Sequence, residues 1–150
     1  MKISIACDHR GFDLKEELKG FLAEEGFSVE DKGPSSSDSV DYPDYGSLAA
    51  QPVSSGLCDR GILICSTGIG MSVVANKFPH VRAALCADVE TAQQCREHID
   101  ANILVLAGSR MSSETARHII KTWLETPFEG GRHQRRLDKI ASLEKKNFKL

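Results

Sequence analysis

The chain has 150 residues, 41% of them hydrophobic and 27% charged, a length that buries one core without disulfides or metals and a composition too apolar for a disordered chain. Nineteen Lys and Arg against 21 Asp and Glu leave a net charge of −2, so no basic excess is on hand for a phosphate polymer and nucleic acid is excluded as an expected partner. No stretch approaches the roughly 18 apolar residues of a membrane span and no apolar leader opens the chain, so the expectation is one cytoplasmic domain, residues 1–150, with no membrane partner.

Lys2 to Cys7, with Ile3, Ile5 and Cys7 alternating, predicts a first strand that runs into the polar cluster Asp8, His9, Arg10, Gly11. Phe12 to Glu25 places Phe12, Leu14, Leu18, Phe21 and Leu22 at helical spacing, and Gly26 stops that helix. Phe27 to Asp31 is a second strand, followed by a polar, proline-punctuated loop from Lys32 to Pro43. A helix is expected from Asp44 or Tyr45 to Ser55, with Pro52 disturbing its last turn.

Gly61 to Cys65 is a continuous apolar run, the mark of a central strand buried on both faces. Beyond the turn Ser66 to Gly70 come a short helix from Met71 to Lys77, a strand from Arg82 to Ala87, a helix from Val89 to His98 and a strand from Ile103 to Leu106. Ser112 caps a helix running to Leu124, and an amphipathic helix follows from His133 to about Lys146. Strands alternating with helices predict a Rossmann-like α/β sandwich of three layers, a five-stranded parallel sheet with helices on both faces.

Ligands of such sheets sit outside the carboxyl ends of the strands. Three polar clusters fall there: Asp8 and His9; Cys65, Ser66, Thr67, Gly68, Ile69 and Gly70; and Gly108, Ser109 and Arg110. If the Cys65 to Ser72 turn opens a helix, its amides form a cradle for an anion and stabilise the thiolate of Cys65, giving a base or a nucleophile. A Gly-x-Gly after a strand is weak evidence alone. The third position of a dinucleotide fingerprint is Val73, and a Cys-x5-Arg phosphatase loop would need arginine where Met71 stands.

Five cysteines, an odd number without C-x-x-C spacing, argue for reduced thiols rather than a disulfide framework or a zinc knuckle. Cys7, Cys58, Cys86 and Cys95 are expected as small core or helix-face residues. His80 and His118 carry no assigned chemistry, whereas His9 stands beside Asp8 at a strand end. His98 closes a helix, where the dipole favours its protonated form. Arg132 and Arg136, four apart on one helical face, form either a grip for a phosphate or a solvated basic face.

Taken together, these residues resemble the ribose-5-phosphate isomerase B family, related to the subunits of galactose-6-phosphate isomerase, over nearly the whole chain. The motifs are Cys7-Asp8-His9-x-Gly11-Phe12, Asp31-Lys32-Gly33, Asp41-Tyr42-Pro43, Ile62-Leu63-Ile64-Cys65-x-Thr67-Gly68-x-Gly70 with Ala75-Asn76-Lys77, and Phe128-Glu129-Gly130-Gly131-Arg132-His133. The resemblance implies a metal-independent aldose–ketose isomerisation with no cofactor, interconverting ribose 5-phosphate and ribulose 5-phosphate. It makes Cys65 the base that moves a proton between C2 and C1 through an enediolate, with Thr67 in support, and His98 the group that opens the sugar ring. It makes Asp8 a contact to sugar hydroxyls, and His9, Arg110, Arg132 and Arg136 the phosphate grip, while Ser66, Gly68, Ile69 and Gly70 bind substrate through the turn. It also implies a homodimer, or a pair of dimers, whose active sites are shared between subunits.

Three departures from the family pattern stand out. Ile99 replaces the asparagine that usually follows the ring-opening histidine, so backbone amides, or Asn102 reaching in, would have to replace a donor worth about 10²–10³ in rate, unless the substrate differs. The segment from His98 to Arg110 is one residue longer than usual, and Ser66 stands where glycine is usual. The alternatives are an isomerase of another phosphosugar, such as allose 6-phosphate or galactose 6-phosphate, and a non-catalytic sugar-phosphate-binding protein, which would have no need of a base.

Overall fold

A computed structural model describes residues 1–149. Five strands form one parallel sheet: β1 (Lys2–Cys7), β2 (Ser28–Asp31), β3 (Arg60–Cys65), β4 (Ala83–Leu85) and β5 (Ile103–Ala107), in the order β2-β1-β3-β5-β4. Six helices alternate with them: α1 (Phe12–Glu24), α2 (Tyr42–Ser54), α3 (Ile69–Ala75), α4 (Val89–Ile99), α5 (Ser113–Glu125) and α6 (Arg132–Phe148). Among the described residues no helix is long and apolar enough to cross a membrane.

The central strands are buried on both faces because apolar side chains occupy both phases of the pleat. Ile3, Ile5, Ile62, Ile64, Leu104 and Leu106 point into one layer, shared with Leu18 and Leu22 of α1, Cys95 of α4 and Ile119, Ile120 and Trp123 of α5. Ala6, Leu63, Cys65, Ile103 and Val105 point into the other, shared with Ala49, Ala50 and Val53 of α2 and Met71 and Ala75 of α3. Each fully buried Leu or Ile contributes about 1.5–3 kcal/mol, so the layers hold the strand ends in fixed register.

That register matters for chemistry. Cys7 pairs with Ile64, and Cys65 with Ala107, so the carboxyl ends of β1, β3 and β5 form one edge. From β1 the chain crosses outward to β2 while β3 lies on its other side, which opens a crevice at this edge between β1 and β3.

Boundaries shift for local reasons. The helix expected from Met71 starts at Ile69, since Gly68 takes a left-handed φ of +77° and its carbonyl accepts the Ser72 N–H at 3.0 Å. It ends at Ala75, where the Asn76 side chain donates to Ser72 O and pairs with both backbone groups of Ala83. α2 begins earlier than expected, at Tyr42, because Pro43 sits where a helix has no use for its N–H. Pro52 lies within α2, and its carbonyl accepts from the Leu57 and Cys58 amides beyond the helix end.

Candidate active site

Cys65 is the last residue of β3, 5% exposed, under the turn that leads into α3. The Gly68 N–H donates to its Sγ at 3.2 Å, so the sulfur faces the amide that opens the turn. Only glycine suits that position: φ is +77°, and a Cβ there would lie 2.4 Å from Leu85 Cδ1. Thr67 Oγ1 accepts the Ile69 N–H at 3.3 Å, which leaves its hydroxyl hydrogen free to donate elsewhere. The Gly70 and Met71 amides open α3 with no helical carbonyl to take them.

Neighbouring strand ends complete this edge. Asp8, buried after β1, accepts from the Arg10 and Gly11 amides at 2.9 and 3.2 Å. His9 Nδ1 lies 3.2 Å from the Val40 backbone nitrogen and 3.3 Å from the Val40 carbonyl oxygen, so the loop after β2 holds the ring in either tautomer and leaves Nε2 for a ligand. After β5, the Ser66 hydroxyl donates to Ser109 Oγ at 3.0 Å, the Gly108 N–H donates to Cys65 O at 2.8 Å, and the exposed Arg110 follows. Cys7, the adjacent thiol, faces the opposite layer, and burial pushes it up to about 12. It stays neutral.

His98 lies elsewhere. α4 leaves the carboxyl end of β4 and runs back, so His98, one residue before its end, is near the amino end of β5, which starts at Ile103. It is also in the layer opposite Cys65. The length of β5 and the thickness of the sheet put it on the order of 15 Å or more from the sulfur of its own chain. There its ring stacks on that of His133, with centroids 4.4 Å apart and planes 11° from parallel. His133 is buried in the first turn of α6, and burial, with Arg132 and His98 close by, pulls it below the ordinary imidazole range. Arg132 and Arg136 are exposed on the same turns of α6.

The expected residues thus fall into two groups. Asp8, His9, Cys65, Ser66, Thr67, Gly68, Ile69, Gly70 and Arg110 share the carboxyl edge; His98, Arg132 and Arg136 share the other pole. Asn102 does not reach in as a donor: its amide group donates to His80 O and accepts from the Arg82 N–H, both at 2.8 Å. Sequence reasoning gave no role to four residues at these two poles, although Ser109 was named in the cluster after the last strand. Tyr42 packs its ring where a Cβ on Gly70 would come within 2.7 Å, a contact foreshadowed only by Tyr42 and Gly70 both lying in quoted motifs. Ser109, Glu129 and His133 are the others, and only the tertiary fold brings Ser109 to Ser66 or His133 to His98.

Known proteins share this architecture. The model of a family described as ribose/galactose isomerase matches residues 3–140. Ribose-5-phosphate isomerase B of Escherichia coli is 45% identical over 145 residues, which cover 97% of this chain and 97% of that one. The solved structure of Clostridium thermocellum ribose-5-phosphate isomerase B is similar with a TM-score of 0.95 at 49% identity, over 97% of this chain and 99% of the other. That of the Mycoplasma genitalium enzyme, with bound ribulose-5-phosphate, has a TM-score of 0.94 at 41% identity over 97% of each. A match that spans both poles of the molecule, with relatives aligned over nearly their full length, means that the chain belongs to the ribose/galactose isomerase family.

Proposed function

We propose that this protein interconverts D-ribose 5-phosphate and D-ribulose 5-phosphate, with Cys65 as the base. The observation that carries this reading is the Cys65 sulfur facing the Gly68 amide at the carboxyl edge of an isomerase-family chain. The thiolate takes the proton from C2 of the open-chain aldose, and electrons move through C1 to O1, forming an enediolate. Returning that proton to C1 gives the ketose, while the proton on O2 passes to O1. Thr67, with its hydroxyl hydrogen free, is placed to serve the oxygens, and the Gly68, Ile69 and Gly70 segment with Ser66 lines the anion.

Asp8 holds sugar hydroxyls, and His9 and Arg110 meet the phosphate. His98, Arg132 and Arg136 take part only if another copy supplies them. The surface beside Cys65 fits such a partner: Ile69 and Val73, one turn apart on α3, are 59% and 57% exposed, and Leu85 beside Gly68 is 39% exposed. The functional unit in this reading is a homodimer, alone or paired with a second, in which one subunit contributes the base and the other His98 and the two arginines. Single-domain chains with five free cysteines suit the cytoplasm, where thiols stay reduced.

Ile99 favours a second reading. Its side chain offers no hydrogen bond next to His98, and Asn102 is committed elsewhere, which suits a different phosphosugar such as allose 6-phosphate or galactose 6-phosphate. The test is incubation of the protein with each aldose phosphate in deuterated water. Ketose formation fastest from ribose 5-phosphate, with deuterium entering C1 of the product, is the expected result. Faster turnover of a hexose phosphate selects the second reading, and binding without exchange overturns both.

A further inference from the structure

The geometry points to a binding site for a divalent transition-metal ion of the zinc class, formed by His98, Glu129 and His133, through which the ion inhibits by capturing the ring-opening histidine. One donor atom from each of the three lies within 4.8 Å of the others. His133 Nε2 and Glu129 Oε2 are 3.2 Å apart, close to the roughly 3.3 Å edge of a tetrahedron built on bonds of about 2.05 Å.

A second observation concerns His133 itself. Its side chain is 4% exposed, and Nε2 has no hydrogen-bond partner, because the Glu129 carboxylate lies within ion-pair distance but off the line that a ring N–H requires. A buried ring nitrogen beside a carboxylate it does not bond is an orphan, and a metal ion set on the nitrogen's lone-pair axis satisfies both. The scaffold is tied down on each side: the Glu129 N–H donates to Glu97 O of α4 at 3.2 Å, and the His133 N–H to Gly130 O at 3.0 Å. In the stack the two rings lie 11° from parallel, so their lone pairs run side by side, and His98, exposed and held only by stacking, has to rotate out of the stack for its nitrogen to meet the same ion as His133.

Two imidazoles and one carboxylate form a donor set suited to zinc, with water in the fourth position, whereas magnesium and calcium prefer oxygen alone. Arg132 and Arg136 adjoin the cluster and repel a cation, while Glu129 and the nearby Glu97 attract it. The balance sets a reversible, inhibitory site rather than a resident one. The inhibitory half of this inference rests on the isomerase reading; the binding half does not.

The test titrates the whole assembled protein with Co2+ and then Zn2+. Expected are the visible absorption of cobalt in a low-coordinate nitrogen and oxygen site, saturating at one ion per chain, its displacement by Zn2+, and loss of isomerisation that a chelator reverses. Glu129→Gln and His133→Asn should each weaken binding by about 10-fold or more, at least what a supporting partner of a metal ligand is worth. Since those variants can misfold, proton NMR of the unaltered protein with Co2+ is the second measurement: paramagnetic shifts should be largest for the rings of His98 and His133. Thiolate-to-cobalt charge transfer, largest shifts at His9, His80 or His118, or no binding by an active enzyme overturns the site. Binding that leaves isomerisation untouched overturns the inhibitory half, while binding at these rings by a protein with no isomerase activity upholds the site and overturns the isomerase reading.

Discussion

At the scale of single residues, the proposed division of the chemistry between the sulfur of Cys65 and the ring of His98 gives each its own signature. Cys65→Ala removes the atom that meets the Gly68 amide and little else in shape. It should lower isomerisation by about 10²–10⁴-fold, the range of a general base, while calorimetry still detects sugar phosphate binding. Near-normal turnover would take Cys65 out of the mechanism. His98→Asn should cost about 100-fold in consumption of the cyclic aldose. Ribulose 5-phosphate cannot close a furanose through its esterified O5, so the variant should still exchange the C1 proton of this ketose with deuterated water. Equal losses in both measurements would refute a ring-opening role.

At the scale of elements, the buried Lys15 of α1 clamps the carboxyl end of β2. Its Nζ donates to Asp31 Oδ1 and Oδ2 at 2.7 and 2.9 Å and to Pro34 O at 2.8 Å, at the start of the loop whose Val40 holds His9. Partial burial raises the Asp31 carboxyl, but Lys15, Lys19 and the Gly33 amide outweigh it and hold it below the usual carboxylate range. Its contribution to stability is therefore full above the unfolded pKa of about 4 and fades as pH falls through the lower folded value. Lys15→Met should cost about 2 kcal/mol, less than the 3–5 of a fully buried pair because Lys19 remains, and should flatten the acid-side decline in denaturant midpoint. An unchanged acid limb would assign that decline to other carboxylates.

Much of this element scale was legible in advance. The run Gly61 to Cys65 and the alternation of Ile3, Ile5 and Cys7 specify buried strands, and chain order alone puts Asp8, Cys65 and Ser109 at carboxyl ends. The start of α3 at Ile69 was not legible, because it turns on Gly68 adopting a left-handed conformation beside Leu85. Nor was the stacking of His98 on His133, which depends on how α6 docks against α4. The family resemblance named His98 without showing on which side of the sheet it stands.

At the scale of the whole molecule, the two poles set a complementation test. Cys65→Ala and His98→Asn dimers should each be nearly inactive. When mixed and allowed to exchange subunits at random, half of the dimers are mixed and carry one intact site each, so about a quarter of the unmutated activity should return in a two-fold assembly. No recovery despite proven exchange would show that each site is built within one chain. The path of α4 back toward the amino end of β5 has a further consequence. If Cys65 is the base and His98 the acid, a solitary chain holds them too far apart to act on one sugar, so activity per molecule should not be constant: it should collapse on dilution past the point where subunits separate, making expression level itself a control on flux.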